Sequence, residues 1–185
     1  MAAGVRDDTR ALPAWVHRMP AAAQRTYLRS DAIPRFGFSA TSAASAAVAR
    51  LIEALERDSP VLTQRAAEGV ALEVCRLAAV PPLAIEVRAV RPRNARGELH
   101  GLFYPADLRR RTAPRIILWM RTAVHHDTVK PRTFVRTLMH ELVHYLDYSH
   151  LQLGNSFHTA GFFKRESYLV RALFPEPPPA RHPVA

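Results

Sequence analysis

One segment restricts the possible folds of this chain more than any other, because it joins an H-E-x-x-H motif to a helical pattern of apolar residues. The motif is His140-Glu141-Leu142-Val143-His144. The apolar side chains around it recur at helical spacing, at Val135, Leu138, Met139, Leu142 and Leu146. We therefore predict one helix over about 129–149, with Asp127 or Thr128 as its N-cap and Pro131 in its first turn.

On that helix, His140 and His144 lie one turn apart, away from the apolar stripe. Two imidazoles at this spacing can bind one zinc ion. Glu141 lies beside them, where a carboxylate can accept a proton from an activated water as the general base of a metallopeptidase. The alternative is that both histidines are merely solvated or hydrogen-bonded on an amphipathic helix. The continuous apolar stripe and the helix-start residues favour the metal site.

A third protein ligand is needed, because a catalytic zinc usually takes three and leaves one position for water. His158 is the preferred candidate, since residues 154–156 predict a turn that leads the chain back into a final helix. Glu166, two turns into that helix, is the first alternative. His150 is the second, at the spacing of metzincins, but Asp147 stands where those proteins have the glycine that breaks the helix. Asp147 itself is expected near the zinc face, where it could orient a ligand histidine or be merely solvated.

The order of predicted elements indicates an α+β fold with one principal domain. Three short strands are expected over 83–90, 98–104 and 115–120, ahead of the H-E-x-x-H helix. The domain organisation we predict is an N-terminal helical arm and helical hairpin packed on the core (1–80), a zincin-like core (81–174) and a Pro-rich flexible tail (175–185).

If the site is catalytic, its substrate and its oxyanion donor can also be anticipated. The strand before the H-E-x-x-H helix, at 115–120, is expected to offer a free edge on which an extended polypeptide could pair. Tyr104 or Tyr168 could help to stabilise an oxyanion, although both residues are more often core aromatics.

The positive charge of the chain lies mostly in the half that carries the motif. Of a formal net charge of +10, residues 81–185 contribute 16 basic against 8 acidic side chains. A nucleic acid or an acidic protein could bind there through Arg88, Arg91, Arg93, Arg109, Arg110 and Arg111. The alternative is an ordinary solvated surface in an arginine-rich chain.

Cysteine content and hydropathy indicate the compartment. Cys75 is the only cysteine, so no internal disulfide can form, and we interpret it as a core residue. No run of 18 apolar residues is present, and residues 1–10 carry four charged side chains where a signal peptide would need its apolar segment. We therefore expect a cytoplasmic protein with no membrane partner.

Residues 97–173 resemble the SprT-like zinc metallopeptidases. The matching text is Thr137-Leu138-Met139-His140-Glu141-Leu142-Val143-His144 and His158-Thr159-Ala160-Gly161-Phe162-Phe163. The resemblance implies a zincin-like core with a small three-stranded sheet, an active-site helix and a following helix that His158 opens. It also implies Zn²⁺ as the cofactor and hydrolysis of polypeptides as the activity. Some members of that family act on proteins attached to DNA.

Two other functions are compatible with the motif. The first is a DNA-binding or adaptor module with a structural zinc, which needs a fourth protein ligand such as His125, His126 or His150. The second is a zinc hydrolase of small molecules, which a cleft closed at one end would favour over a peptidase.

Overall fold

The computed structural model describes residues 12–95 and 97–174. In chain order, its elements are a 3-10 helix (Val16–Arg18), α1 (Ala21–Ala32), α2 (Ser42–Glu56), α3 (Pro60–Leu77), β1 (Ala84–Val90), β2 (Arg93–Asn94), β3 (Gly97–Glu98), β4 (Gly101–Tyr104), β5 (Arg115–Arg121), α4 (Pro131–Ser149) and α5 (Ala160–Leu173). These helices and a small three-stranded sheet are consistent with the predicted α+β class. The expected tail at 175–185 and the first eleven residues of the expected arm lie outside the described residues.

Side-chain caps mark the start of two helices of the hairpin. Thr41 caps α2, and Ser59 caps α3 ahead of a proline at its first position. At α4 the predicted cap is wrong, because Lys130 is the N-cap and no side chain caps the helix. The cause is upstream pairing, since Thr128 forms a β-bridge with Arg121 and the next backbone N–H, of Val129, bonds to β5.

The three-stranded sheet has the order β1-β5-β4. Strand β5 is parallel to β1 and antiparallel to β4, so both of its edges are paired. The prediction of a free edge at 115–120 is therefore wrong. A central position suits β5, because five consecutive apolar residues at its centre are buried. Within the described residues, the edge strand on the other side of β5 from β1 is β4.

One continuous apolar core joins the α2–α3 hairpin to the sheet, α4 and α5. The hairpin therefore packs on the core. Helix α1 packs against α5. In the described part of the chain, no helix combines the length and the apolar composition that crossing a bilayer requires.

Candidate metal centre

Three histidines from two neighbouring segments meet at one point. His140 and His144 lie one turn apart on α4, and His158 precedes α5 by two residues, with Thr159 as the helix cap. The Nε2 atom of His158 lies 3.1 Å from Nε2 of His140 and 3.0 Å from Nε2 of His144. The structure thus brings together the three residues that the sequence favours as ligands, and they could hold a metal ion.

The other ring nitrogens of the two α4 histidines are held by polar partners. Nδ1 of His140 lies 3.0 Å from a carboxylate oxygen of Glu166, and Nδ1 of His144 lies 2.8 Å from the hydroxyl of Ser156. The Ser156 hydroxyl donates its own proton to Asp147, so it accepts one from His144. Both Nδ1 atoms therefore carry the proton, and each Nε2 presents a lone pair to the common point.

Two of the three histidines, His144 and His158, are kept neutral by their surroundings. Burial, reinforced by the neighbouring His140 and His158, lowers the pKa of His144 to about 3. Burial and His140 also lower the pKa of His158. Neutral imidazole is the form that binds a metal, so these two side chains are ready to ligate at neutral pH.

The spacing of the three nitrogens fits a cation. Lone pairs facing one another at 3.0–3.1 Å repel unless a proton or a positive ion lies between them. Nitrogens bound tetrahedrally at roughly 2.0–2.1 Å from one zinc ion are about 3.3 Å apart, close to the observed separations. The donor set and the geometry therefore suit a metal with an imidazole preference.

Glu141 lies beside the cluster, against strand β4. Its side chain is buried, and burial raises its pKa to about 7, against the lowering effects of His140 and of a hydrogen bond from the backbone of Phe103. Gly101 of β4 makes room for it, because a Cβ at that position would lie 2.7 Å from Oε1 of Glu141. A carboxylate with a pKa near 7 can both accept and return a proton at neutral pH.

Open space lies on two sides of the histidines. A cavity of about 210 Å³ is lined by Glu141 and His144, together with Phe103 and Tyr148. A second cavity, of about 600 Å³, is lined by His158 and by residues of α1 and α5. In the described part of the chain β4 is an edge strand, and its residue Phe103 both lines the first cavity and donates a backbone hydrogen bond to Glu141.

The two alternative third ligands lie outside the cluster. Glu166 binds the far nitrogen of His140 and also accepts from Arg136 at 2.7 Å. Burial alone would raise the pKa of Glu166, but these two hydrogen bonds bring it below the ordinary value. His150 ends α4 with its Nδ1 2.9 Å from the carbonyl oxygen of Ala78. The described residues supply no fourth His, Cys, Asp or Glu to the metal group.

The two tyrosines considered as oxyanion donors do not line the cavity that holds Glu141. Tyr168 donates its hydroxyl to the carbonyl oxygen of Phe38, and Tyr104 lies under the guanidinium of Arg115. Tyr148 lines that cavity instead, with its hydroxyl donating to Asn155 at 3.1 Å. Its position one turn after His144 is a sequence signal that could have identified it.

Asp147 is linked to the candidate ligand His144 through the hydroxyl of Ser156, and the sequence did not predict this link. It is fully buried, accepts from Ser156 and pairs with the equally buried Arg165. Neither Ser156 nor Arg165 could have been assigned a role from spacing alone, because their partners are distant in sequence.

One of the six arginines considered for nucleic-acid binding is not on the surface. Arg91 is 6% exposed and lies 3.6 Å from Glu98, so it cannot contribute to an exposed basic patch. The other five are exposed: Arg88, Arg93, Arg109, Arg110 and Arg111. Arg88 bonds to Glu86, and Arg110 lies near Asp107.

Comparisons of the chain with protein-family models, with curated proteins and with solved structures gave no match. The function is therefore inferred from the residues and their geometry.

Proposed function

We propose that this protein is a zinc metallopeptidase with a zincin-like core of the SprT-like type. The observation that carries the proposal is the convergence of three imidazole Nε2 atoms beside a buried carboxylate, that of Glu141. Three imidazoles without a fourth protein ligand in the described residues are a donor set that suits catalytic zinc. A zinc ion bound there would supply Lewis acidity, which polarises a peptide carbonyl and makes water a better nucleophile at neutral pH.

Side chains of the protein would supply proton transfer, orientation of the histidines and stabilisation of the oxyanion. Glu141 accepts the proton of the attacking water and returns it to the leaving amine, which its raised pKa favours. Glu166 and Ser156 fix the ring orientations of His140 and His144. Tyr148 lines the same cavity as Glu141, and its hydroxyl could donate to an oxyanion if it released its hydrogen bond to Asn155.

A polypeptide is the substrate class that the surroundings of the site favour. The unpaired edge of β4 offers backbone groups to an extended chain, and Glu141 lies directly against that edge. Cavities border both His144 and His158, so the histidines lie between two open regions rather than at the end of a closed pocket. A hydrolase of small molecules would need an enclosed site.

A purely structural zinc is disfavoured by the ligand count. Structural sites are closed by four protein ligands, whereas three histidines form the group in the described residues.

Metal removal tests the proposed function. Cleavage of unfolded casein is expected to be lost after treatment with a zinc chelator and to return on addition of one equivalent of Zn²⁺. The loss is expected to exceed about 100-fold, because no side chain replaces the Lewis acid. Fragment release on a gel is the measurement, with Mg²⁺ addition as the control. Cleavage that survives complete zinc removal would contradict the proposal.

A further inference from the structure

The C-terminal end of α1 is tied to α5 by a buried arginine. Arg165 is fully buried and donates through Nη1 to the carbonyl oxygens of Ser30 and Ile33, at 2.7 and 2.6 Å. Its Nη2 donates to the hydroxyl of Ser30 at 2.9 Å. A buried guanidinium is costly unless its donors are paired, so the end of α1 is required to keep Arg165 in place.

The guanidinium of Arg165 also contacts Asp147, which links it to the metal centre. Nη2 of Arg165 lies 2.9 and 3.1 Å from the two carboxylate oxygens of Asp147. Asp147 accepts from the Ser156 hydroxyl at 2.8 Å, and that hydroxyl accepts from Nδ1 of His144 at 2.8 Å. Ser30 of α1 is thus connected to the ring of His144 by an unbroken series of hydrogen bonds.

A second contact links α1 to the segment that carries His158. The Ser30 hydroxyl lies 3.3 Å from that of Thr159, the residue next to His158 and the cap of α5. Asp31 accepts from the backbone N–H of Gly161 at 3.1 Å. The two helices touch closely here, because a Cβ on Gly161 would lie 2.3 Å from the carbonyl oxygen of Ser30.

We propose that the C-terminal end of α1 is a positioning element of the metal centre, with Ser30 and Arg165 setting the affinity for zinc by fixing His144 and His158. This inference rests on the proposed function only in taking zinc as the ion. Partners that orient a ligand histidine typically change metal affinity 10–100-fold when they are removed. Helix α1, which precedes the H-E-x-x-H helix by about a hundred residues, is therefore part of the site.

Two variants test the role of α1 without altering a ligand. Ser30→Ala removes the hydroxyl that bonds Arg165 and Thr159, and Gly161→Ala forces α1 and α5 apart. Each is expected to raise the zinc dissociation constant about 10-fold, measured by competition with a chromogenic chelator. Val70→Ala is the matched control, because it opens a cavity in the core at α3, which packs on α2 and β1. It should lower the melting temperature and leave zinc affinity unchanged.

A double-mutant cycle separates positioning from general destabilisation. Ser156→Ala interrupts the series of hydrogen bonds next to His144. If Ser30 acts through it, the loss of zinc affinity in Ser30→Ala/Ser156→Ala is expected to be smaller than the product of the two single losses.

Three results would count against this account, and they are distinguishable. Wild-type zinc affinity in folded Ser30→Ala and in folded Gly161→Ala would overturn the role of α1. Equal loss of affinity in Val70→Ala would show that stability alone is responsible. A wild-type protein that takes up no zinc would overturn the metal centre, and with it the proposed function.

Discussion

Replacing His158 with alanine is expected to weaken zinc binding by about 100- to 1,000-fold. Four-ligand zinc sites gain roughly 10–16 kcal/mol on binding, so one imidazole contributes about 2.5–4 kcal/mol. His158 should contribute fully, because its Nε2 lies within 3.1 Å of both other Nε2 atoms and its pKa is lowered. Competition with a high-affinity chelator at pH 7.5 is the measurement. Peptide hydrolysis should fall in parallel with zinc occupancy.

His150→Ala is the matched control for that variant. Both substitutions remove one imidazole near an end of α4 or α5, but Nδ1 of His150 bonds to the carbonyl oxygen of Ala78. We expect a modest loss of stability and unchanged zinc affinity. If His150→Ala loses zinc while His158→Ala keeps it, the ligand assignment is wrong.

Replacing Glu141 with glutamine is expected to lower kcat/KM by about 1,000-fold while one zinc per chain is retained. Glutamine preserves the size of the side chain and cannot accept the proton, and loss of a general base typically costs 10²–10⁴-fold. Casein cleavage and zinc content should be measured on the same samples, with the exposed Glu53→Gln as control. A Glu141→Gln variant with wild-type turnover would remove this residue from the mechanism.

The same substitution should stabilise the zinc-free protein at alkaline pH. Burial raises the pKa of Glu141 from 4.5 to about 7, so the folded protein holds this proton more tightly than the unfolded chain does. Wild type therefore loses stability as the pH rises from about 4.5 through about 7, and the glutamine variant does not. We expect a gain of about 3 kcal/mol at pH 8.5 and little difference at pH 4.5, measured by urea unfolding.

The H-E-x-x-H helix and the meeting of its histidines with His158 could be predicted because their signals are local. A 3.6-residue period sets the face of α4, and a turn at 154–156 returns the chain to it.

Features that depend on distant pairing could not be predicted. The order of the strands placed β5 at the centre of the sheet, and a strand sequence alone does not say which of its edges is covered. Arginine is a residue type that usually lies on the surface. The burial of Arg165 follows from partners more than a hundred residues earlier, in α1. Arg91 was also assigned to the surface, but it is 6% exposed and lies near Glu98.

X-ray absorption at the zinc edge of the purified wild-type protein tests the central claim most directly. The predicted spectrum has three imidazole nitrogens at roughly 2.0–2.1 Å, one further oxygen that no side chain supplies, and no sulfur. A fourth imidazole would show a closed, structural site, and a sulfur scatterer would place the metal at Cys75. Either of these results, or the absence of bound zinc, would contradict a catalytic centre built from His140, His144 and His158.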